Sequence, residues 1–273
     1  MKKKAEEGSK GELNMNKTAL ITGASSGIGR ELAKVFAGNG YDLILTARNE
    51  KKLGTLKDKL EAKYGIKAFV IIKDLSQKDA AQDVFNEVGK AGLSVDVLVN
   101  NAGFGDYKRY ADADWWKQFD IVQVNILALM QMTRLFLPQM IQKGDGKILN
   151  MASMAAFAPG PFMSVYYASK AFVLSFSEAL AAELKGSGVT VTAVCPGPTK
   201  TGFEEAAGSG ARKLFDTAKR ASAKKVALFS YQATMSGKIV AVPGFKYKIA
   251  ASGQKILPRR AVSAFILKLQ GEK

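Results

Sequence analysis

Six short apolar runs, each closed by a turn and followed by a stretch of helical periodicity, restrict the fold of this 273-residue chain more than any other feature. They are TALITG from Thr18, YDLILTAR from Tyr41, KAFVIIKDL from Lys67, VDVLVNNAG from Val95, GKILNMAS from Gly146 and VTVTAVCPG from Val189. After the first comes GIGRELAKVFAGNG, with Ile28, Leu32, Val35 and Phe36 at helical spacing before a Gly stop. EKKLGTLKDKLEAKYG, KDAAQDVFNEVGKAG, the long apolar WWKQFDIVQVNILALMQMTRLFLPQMIQ and VYYASKAFVLSFSEALAAELKG supply the later helices. Strands that are apolar nearly throughout need cover on both faces, and strands that alternate with helices need parallel pairing.

The right-handed crossover rule turns this pattern into an α/β, doubly wound parallel sheet of the Rossmann type. ASAKKVALFSYQATMSG adds a helix and KIVAVPG a seventh, edge strand; KYKIAASGQKIL and RRAVSAFILKLQ read as two basic amphipathic helices forming a small C-terminal extension. Residues 1–15 are polar and aperiodic and read as a disordered leader. Residues 16–273 read as one dinucleotide-binding catalytic domain, of which 200–273 form a substrate loop and the basic extension. At 47% hydrophobic the chain can bury a large core.

Composition removes several chemistries. There is no histidine and a single cysteine, which excludes Ser-His-Asp catalysis, His-ligated metal sites, thiolate zinc clusters and an intramolecular disulfide. No metal is expected, and Cys195, in an apolar run, reads as buried and inert. No run of eighteen apolar residues and no signal-type hydrophobic segment stands out, so a soluble, cytoplasmic protein is expected. The formal charge is +16, of which +12 falls between Ala211 and Lys273. That excess reads as a solvated basic face, with an anionic surface or acidic partner as the functional alternative; no nucleic-acid partner is expected.

Gly23, Gly27 and Gly29 in TGASSGIG close the first strand and open the first helix. Glycines there let the backbone turn sharply and approach a pyrophosphate, whose charge the helix N-terminus favours; Ser25 and Ser26 add donors, and Ile28 follows in the helix. The spacing GxxxGxG departs from the GxGxxG fingerprint. The second strand ends in Thr46, Ala47 and Arg48 where an acidic residue would select NAD, so Arg48 points to the 2′-phosphate of NADP(H). Asp74 and Leu75 after the third strand fall beside the adenine; Asn101, Ala102 and Gly103 after the fourth fall beside the ribose.

Proton chemistry is left to Ser, Tyr, Lys and carboxylates. Tyr166 and Lys170, four apart, share a helix face, and a fixed ammonium beside a phenol is expected to lower its pKa into a usable range. Ser153, before a Pro-Gly-Pro loop, is placed to return over the phenol and bond the same substrate oxygen. Met154, Phe157, Phe162, Met163 and Phe203 are candidate pocket residues for a neutral, hydrophobic carbonyl or alcohol.

Taken in order, TGASSGIG, DL, NNAG, Asn125 in the long helix, Ser153, YYASK and PGPTKT resemble the short-chain dehydrogenase/reductase pattern over Lys17 to about Thr201. The tail, KKVALFSYQATMSGKIVAVPG followed by LPRR, resembles a bacterial branch of broad carbonyl reductases. The resemblance implies Tyr166 as general acid/base, with Lys170 lowering its pKa and holding the nicotinamide ribose. It also implies Ser153 orienting the carbonyl and Asn125 positioning a water that links Lys170 to solvent. Thr199 would hold the carboxamide, with Pro196 and Gly197 beside it. Hydride would pass between NADP(H) and a carbonyl carbon, in a homodimer or homotetramer. The rivals are a nucleotide-binding regulator without turnover and a protein docking on a membrane surface or polyanion through its basic tail.

Overall fold

The computed structural model describes residues 16–203, 207–208, 220–254 and 258–269. The leader at 1–15, most of the substrate loop at 204–219, and 255–257 of the tail lie outside the described residues.

The elements run β1 Thr18–Thr22, α1 Gly27–Gly38, β2 Asp42–Ala47, α2 Glu50–Tyr64, β3 Ala68–Ile72, α3 Ala80–Lys90, β4 Val97–Asn100, α4 Trp115–Val122, α5 Leu129–Lys143 and β5 Gly146–Met151. They continue with α6 Ser164–Glu183, β6 Val189–Val194, the short pair β7 Thr199–Lys200 and β8 Ala221–Ser222, then α7 Ala223–Met235, β9 Val240–Ala241, α8 Phe245–Gln254 and α9 Arg259–Leu269. Seven strands form one parallel sheet in the order β3-β2-β1-β4-β5-β6-β9. The order reverses beside β1, so β1 and β4 diverge into loops on opposite faces and leave a crevice at their carboxyl ends.

Alternation along each strand divides the core in two. Ile21, Leu43, Leu45 and Val99 point to the side covered by α1, α2 and α7, where they meet Leu32, Phe36, Leu53 and Ala227. Leu20, Ile44, Ile71 and Leu98 point to the other side, where they meet Val84, Met132, Phe136 and Leu180. This is the two-residue period of a sheet buried on both faces. Phe36, Tyr41 and Tyr231 pack edge to face and fix α7 across α1.

The long apolar segment forms one helix from Trp115 to Lys143, interrupted by a π-helical turn at Gln123–Ala128. By length and composition this 29-residue helix is apolar enough to cross a membrane. Here Ile121, Met132, Phe136 and Met140 on its inner face are buried in the domain, while Trp115, Trp116, Phe119, Leu127 and Ile141 stay exposed. It ends at Gly144 in the left-handed conformation, which caps the last carbonyls.

Candidate active site

A cleft of about 990 Å³ opens at the carboxyl ends of the strands. Its first wall is the β1–α1 turn. Gly23 and Gly27 take φ of 66° and 53°, the left-handed region that favours glycine. A Cβ at Gly29 would lie 2.4 Å from the Gly23 carbonyl oxygen, so only glycine lets the turn fold this tightly. Ser26 caps α1 without a side-chain bond, leaving its hydroxyl and the first-turn amides to the cleft. Thr22 pins the neighbouring strand: its Oγ1 accepts from the backbone N–H groups of Asn101 and Ala102, both at 2.9 Å, and donates to the Val99 carbonyl. Asn101 Nδ2 donates to the Thr22 carbonyl at 2.9 Å. The cradle fits a pyrophosphate, because its donors are backbone amides on a turn with no Cβ in the way.

At the end of the cleft beside β2 and β3 Arg48 is exposed and lies 3.7 Å from Asp74 Oδ2. Asp74 accepts from Ser76 through both backbone and hydroxyl, which holds its carboxylate in place. Lys52 and Lys73 line the same end, Lys73 paired with Asp83 at 3.1 Å.

At the other end stands the Ser-Tyr-Lys group. Ser153 follows β5 in extended conformation and accepts from the Ala155 N–H. Its side chain lines the same cleft as the Tyr166 phenol, across the intervening loop. Lys170, one turn along α6 from Tyr166, is buried and donates to the Met151 carbonyl at 2.8 Å. Its Nζ is 5.8 Å from the centre of the Tyr166 ring. Asn125 sits inside the π-helical turn, fully buried, donating to the Phe104 carbonyl and to Ser169 Oγ, both at 3.0 Å, and accepting from the Phe104 N–H. Ser169 in turn donates to the Tyr166 carbonyl at 2.7 Å, so Asn125 ties α6 to the loop after β4. A π turn widens the helix where such a side chain must fit, as at many functional sites.

The electrostatics differ from the expectation that Lys170 lowers the phenol's pKa. Burial pushes the Tyr166 phenol up to about 12, and the neighbouring Ser153 hydroxyl opposes it only in part. Burial also pulls the Lys170 ammonium down to about 8. Desolvation dominates because the ammonium is turned toward Met151 and stands off the ring, not against the phenol oxygen. The phenol is therefore firmly protonated in the free protein, the form that donates a proton. Cys195 is fully buried and burial raises its thiol to about 12, in keeping with an inert residue.

Most of the residues singled out in the sequence meet here. Gly23, Ser25, Ser26, Gly27, Ile28, Arg48, Asp74, Leu75, Asn101, Ala102, Gly103, Ser153, Met154, Met163, Tyr166, Lys170, Pro196, Gly197, Thr199 and Phe203 all line the cleft. Gly29 and Asn125 stand just behind it. Phe157 and Phe162 stand outside the lining. Phe157 packs with Val173, Cys195 and Tyr247 in a separate apolar cluster. Phe162, at φ 60°, turns away to stack on Tyr107 at 5.5 Å. Residues not anticipated also join the site, Tyr247 and Lys52 among them. Tyr247, from α8, lies over the Pro-Gly-Pro turn so closely that a Cβ at Gly197 would be 2.5 Å from its ring. Lys52 falls one helical turn beyond Arg48, and its position in a surface helix gave no sign of it.

Comparison with known proteins places this geometry. The family model for short chain dehydrogenases matches residues 17–211. A very-long-chain 3-oxoacyl-CoA reductase of Anas platyrhynchos is 38% identical over 186 residues, covering 65% of this chain and 58% of that protein. The chain's matches span 64%, 58% and 60% of the lengths of three curated relatives. Among solved structures, a short-chain dehydrogenase from Sphingobium yanoikuyae in complex with NADPH superposes with a TM-score of 0.79 at 29% identity, covering 88% of this chain and 93% of that one. A short chain dehydrogenase/reductase from Burkholderia phymatum in complex with NAD has the same TM-score, 0.79, at 27% identity, with 87% and 92% covered. With the parallel sheet, the glycine cradle and the Ser153–Tyr166–Lys170 group in one cleft, the chain belongs to the short-chain dehydrogenase/reductase family of oxidoreductases.

Proposed function

We propose that the chain is an NADP(H)-dependent oxidoreductase that interconverts a carbonyl and an alcohol on a neutral, hydrophobic substrate. The observation that carries this is that Ser153, Tyr166 and Lys170 line one end of a cleft whose far wall is a glycine cradle. A carbonyl oxygen seated between the two hydroxyls receives a bond from Ser153 and a proton from Tyr166. NADPH, when bound, supplies the hydride. Lys170, bonded to the Met151 carbonyl, offers its ammonium to the nicotinamide ribose, and the Asn125–Ser169 link keeps α6 in register with the loop that borders the cofactor.

Preference for NADP(H) rests on Arg48, Lys52 and Lys73 at the adenine end. Asp74 is bonded to Ser76 and paired with Arg48, so it adds no free negative charge to repel a 2′-phosphate. The substrate lies against Met154, Met163, Tyr167 and Phe203, an apolar and adaptable wall. A homodimer or homotetramer belongs to the same proposal, with the outer face of α4 and α5 and its exposed Trp115, Trp116 and Phe119 as the surface between copies. So does a cytoplasmic location.

The test is NADPH oxidation against a panel of ketones, aldehydes and sugars, with Tyr166→Phe alongside. Turnover of apolar ketones by the native protein, lost by about 10²–10⁴-fold in Tyr166→Phe with NADPH affinity kept, is the expected result. Undiminished turnover in the variant removes Tyr166 from the chemistry.

A further inference from the structure

The tail carries charge of one sign. From Thr217 to Gly271 the sequence holds eleven Lys and Arg and no Asp or Glu. In the fold, part of this charge is displayed on two helices whose outer faces are apolar as well as basic. On α8, Tyr247 and Ala251 face inward, Tyr247 onto Gly197 and Ala251 into the apolar cluster beneath. Phe245 and Ile249, also one turn apart, face outward at 76% and 58% exposure, with Lys246 and Lys248 exposed between and beside them. On α9, Val262 is buried while Phe265 stands 62% exposed among Arg259, Arg260 and Lys268. The ion pairs formed among the described residues leave all five of these cations out.

We infer that the outer faces of α8 and α9 dock the protein on an anionic membrane surface, with Phe245, Ile249 and Phe265 entering the headgroup boundary and the cations meeting lipid phosphates. Apolar side chains ringed by Lys and Arg suit that boundary, where the rings lose water and the charges keep theirs. Charge selects this occupant over a second copy of the chain, since two such tails would bring like charges face to face. The placement has a consequence for the cleft. Tyr247 is the inner residue of the same helix and forms part of the cleft wall, so the docking face and the cleft share one thin element. The surface is independent of the redox chemistry proposed above.

The experiment is flotation of the full chain with vesicles of phosphatidylcholine containing about 30 mol% phosphatidylglycerol, against phosphatidylcholine alone, with light scattering of the free protein in parallel. Binding to the anionic vesicles only, released as salt rises from about 0.05 to about 0.5 M, is expected. The double variant K246E/R260E is expected to bind at least about twentyfold more weakly, near fivefold for each cation lost. The variant F245S/I249S/F265S is expected to lose binding while keeping its NADPH affinity, which shows that it has folded. No flotation of the full chain at low salt overturns the inference. So does full binding by K246E/R260E, or a fall in oligomer mass in F245S/I249S/F265S, which would make the face a contact between copies.

Discussion

The two ends of the cleft are built from different materials. At the cofactor end the surface is backbone: a tight glycine turn, free helix amides, and strand ends sewn together through Thr22 and Asn101. At the substrate end it is side chain: Met154, Met163, Tyr166, Tyr167, Phe203 and, from a distant helix, Tyr247. Backbone surfaces tolerate almost no change because the groups that would clash are themselves fixed. Side-chain surfaces can be repacked, as is expected of a fold that keeps one cofactor and changes its substrates.

Substitutions should therefore hurt unequally across the cleft. Gly29→Ala is expected to have the largest effect, since its Cβ would meet the Gly23 carbonyl at 2.4 Å. A fall of about 1–3 kcal/mol in stability and a loss of NADPH binding of about a hundredfold should follow, measured by thermal unfolding and fluorescence titration. A neutral result would show that the turn yields, and the contrast between the two ends would fail. Arg48→Ala comes next. Losing a charge-assisted contact to the 2′-phosphate should weaken NADPH by about 10–100-fold and leave NADH nearly unchanged. Equal weakening of both cofactors would assign Arg48 to holding Asp74 in place.

The pH dependence sharpens the same contrast from the catalytic side. In the free protein Lys170 titrates at about 8 and Tyr166 at about 12. The ammonium is present below its pKa and lost as pH rises through it, whereas the phenol keeps its proton well beyond. Since kcat/KM reports the free enzyme, reduction should hold steady to about pH 8 and then fall about tenfold per unit. Lys170→Arg should carry the plateau to higher pH. A native limb that appears only near 12 would assign the loss to the tyrosine. The smallest effect is expected for Phe203→Ala, whose ring lies 5.1 Å from that of Tyr166. KM for an apolar ketone should rise several-fold, about 1 kcal/mol of apolar contact, with NADPH affinity unchanged.

How much was legible in the sequence follows the same division. The seven strands and their parallel order came from a periodicity that leaves few topologies open, and the glycine turn from residues with one steric purpose. Tyr166 and Lys170 were legible because four residues on a helix fix a face. Phe157 and Phe162 were misplaced because closeness to Ser153 in sequence does not say which way a loop turns; the left-handed backbone at Phe162 sends its ring to Tyr107. Tyr247 lies 81 residues from Tyr166 and joins the site only through tertiary packing. The phenol's high pKa was hidden because burial, not the spacing to Lys170, governs it.

The π-helical turn at Gln123–Ala128 looks like ordinary helix in the sequence. There the backbone bonds span five residues instead of four, which widens the helix around Asn125. Ile121 before the turn and Met132 after it are both fully buried, with Asn125 between them. The length of this segment is thus as constrained as its composition. Deleting a residue from the turn would remove that width and break the Asn125 link, although the rest of the helix would still be encoded unchanged.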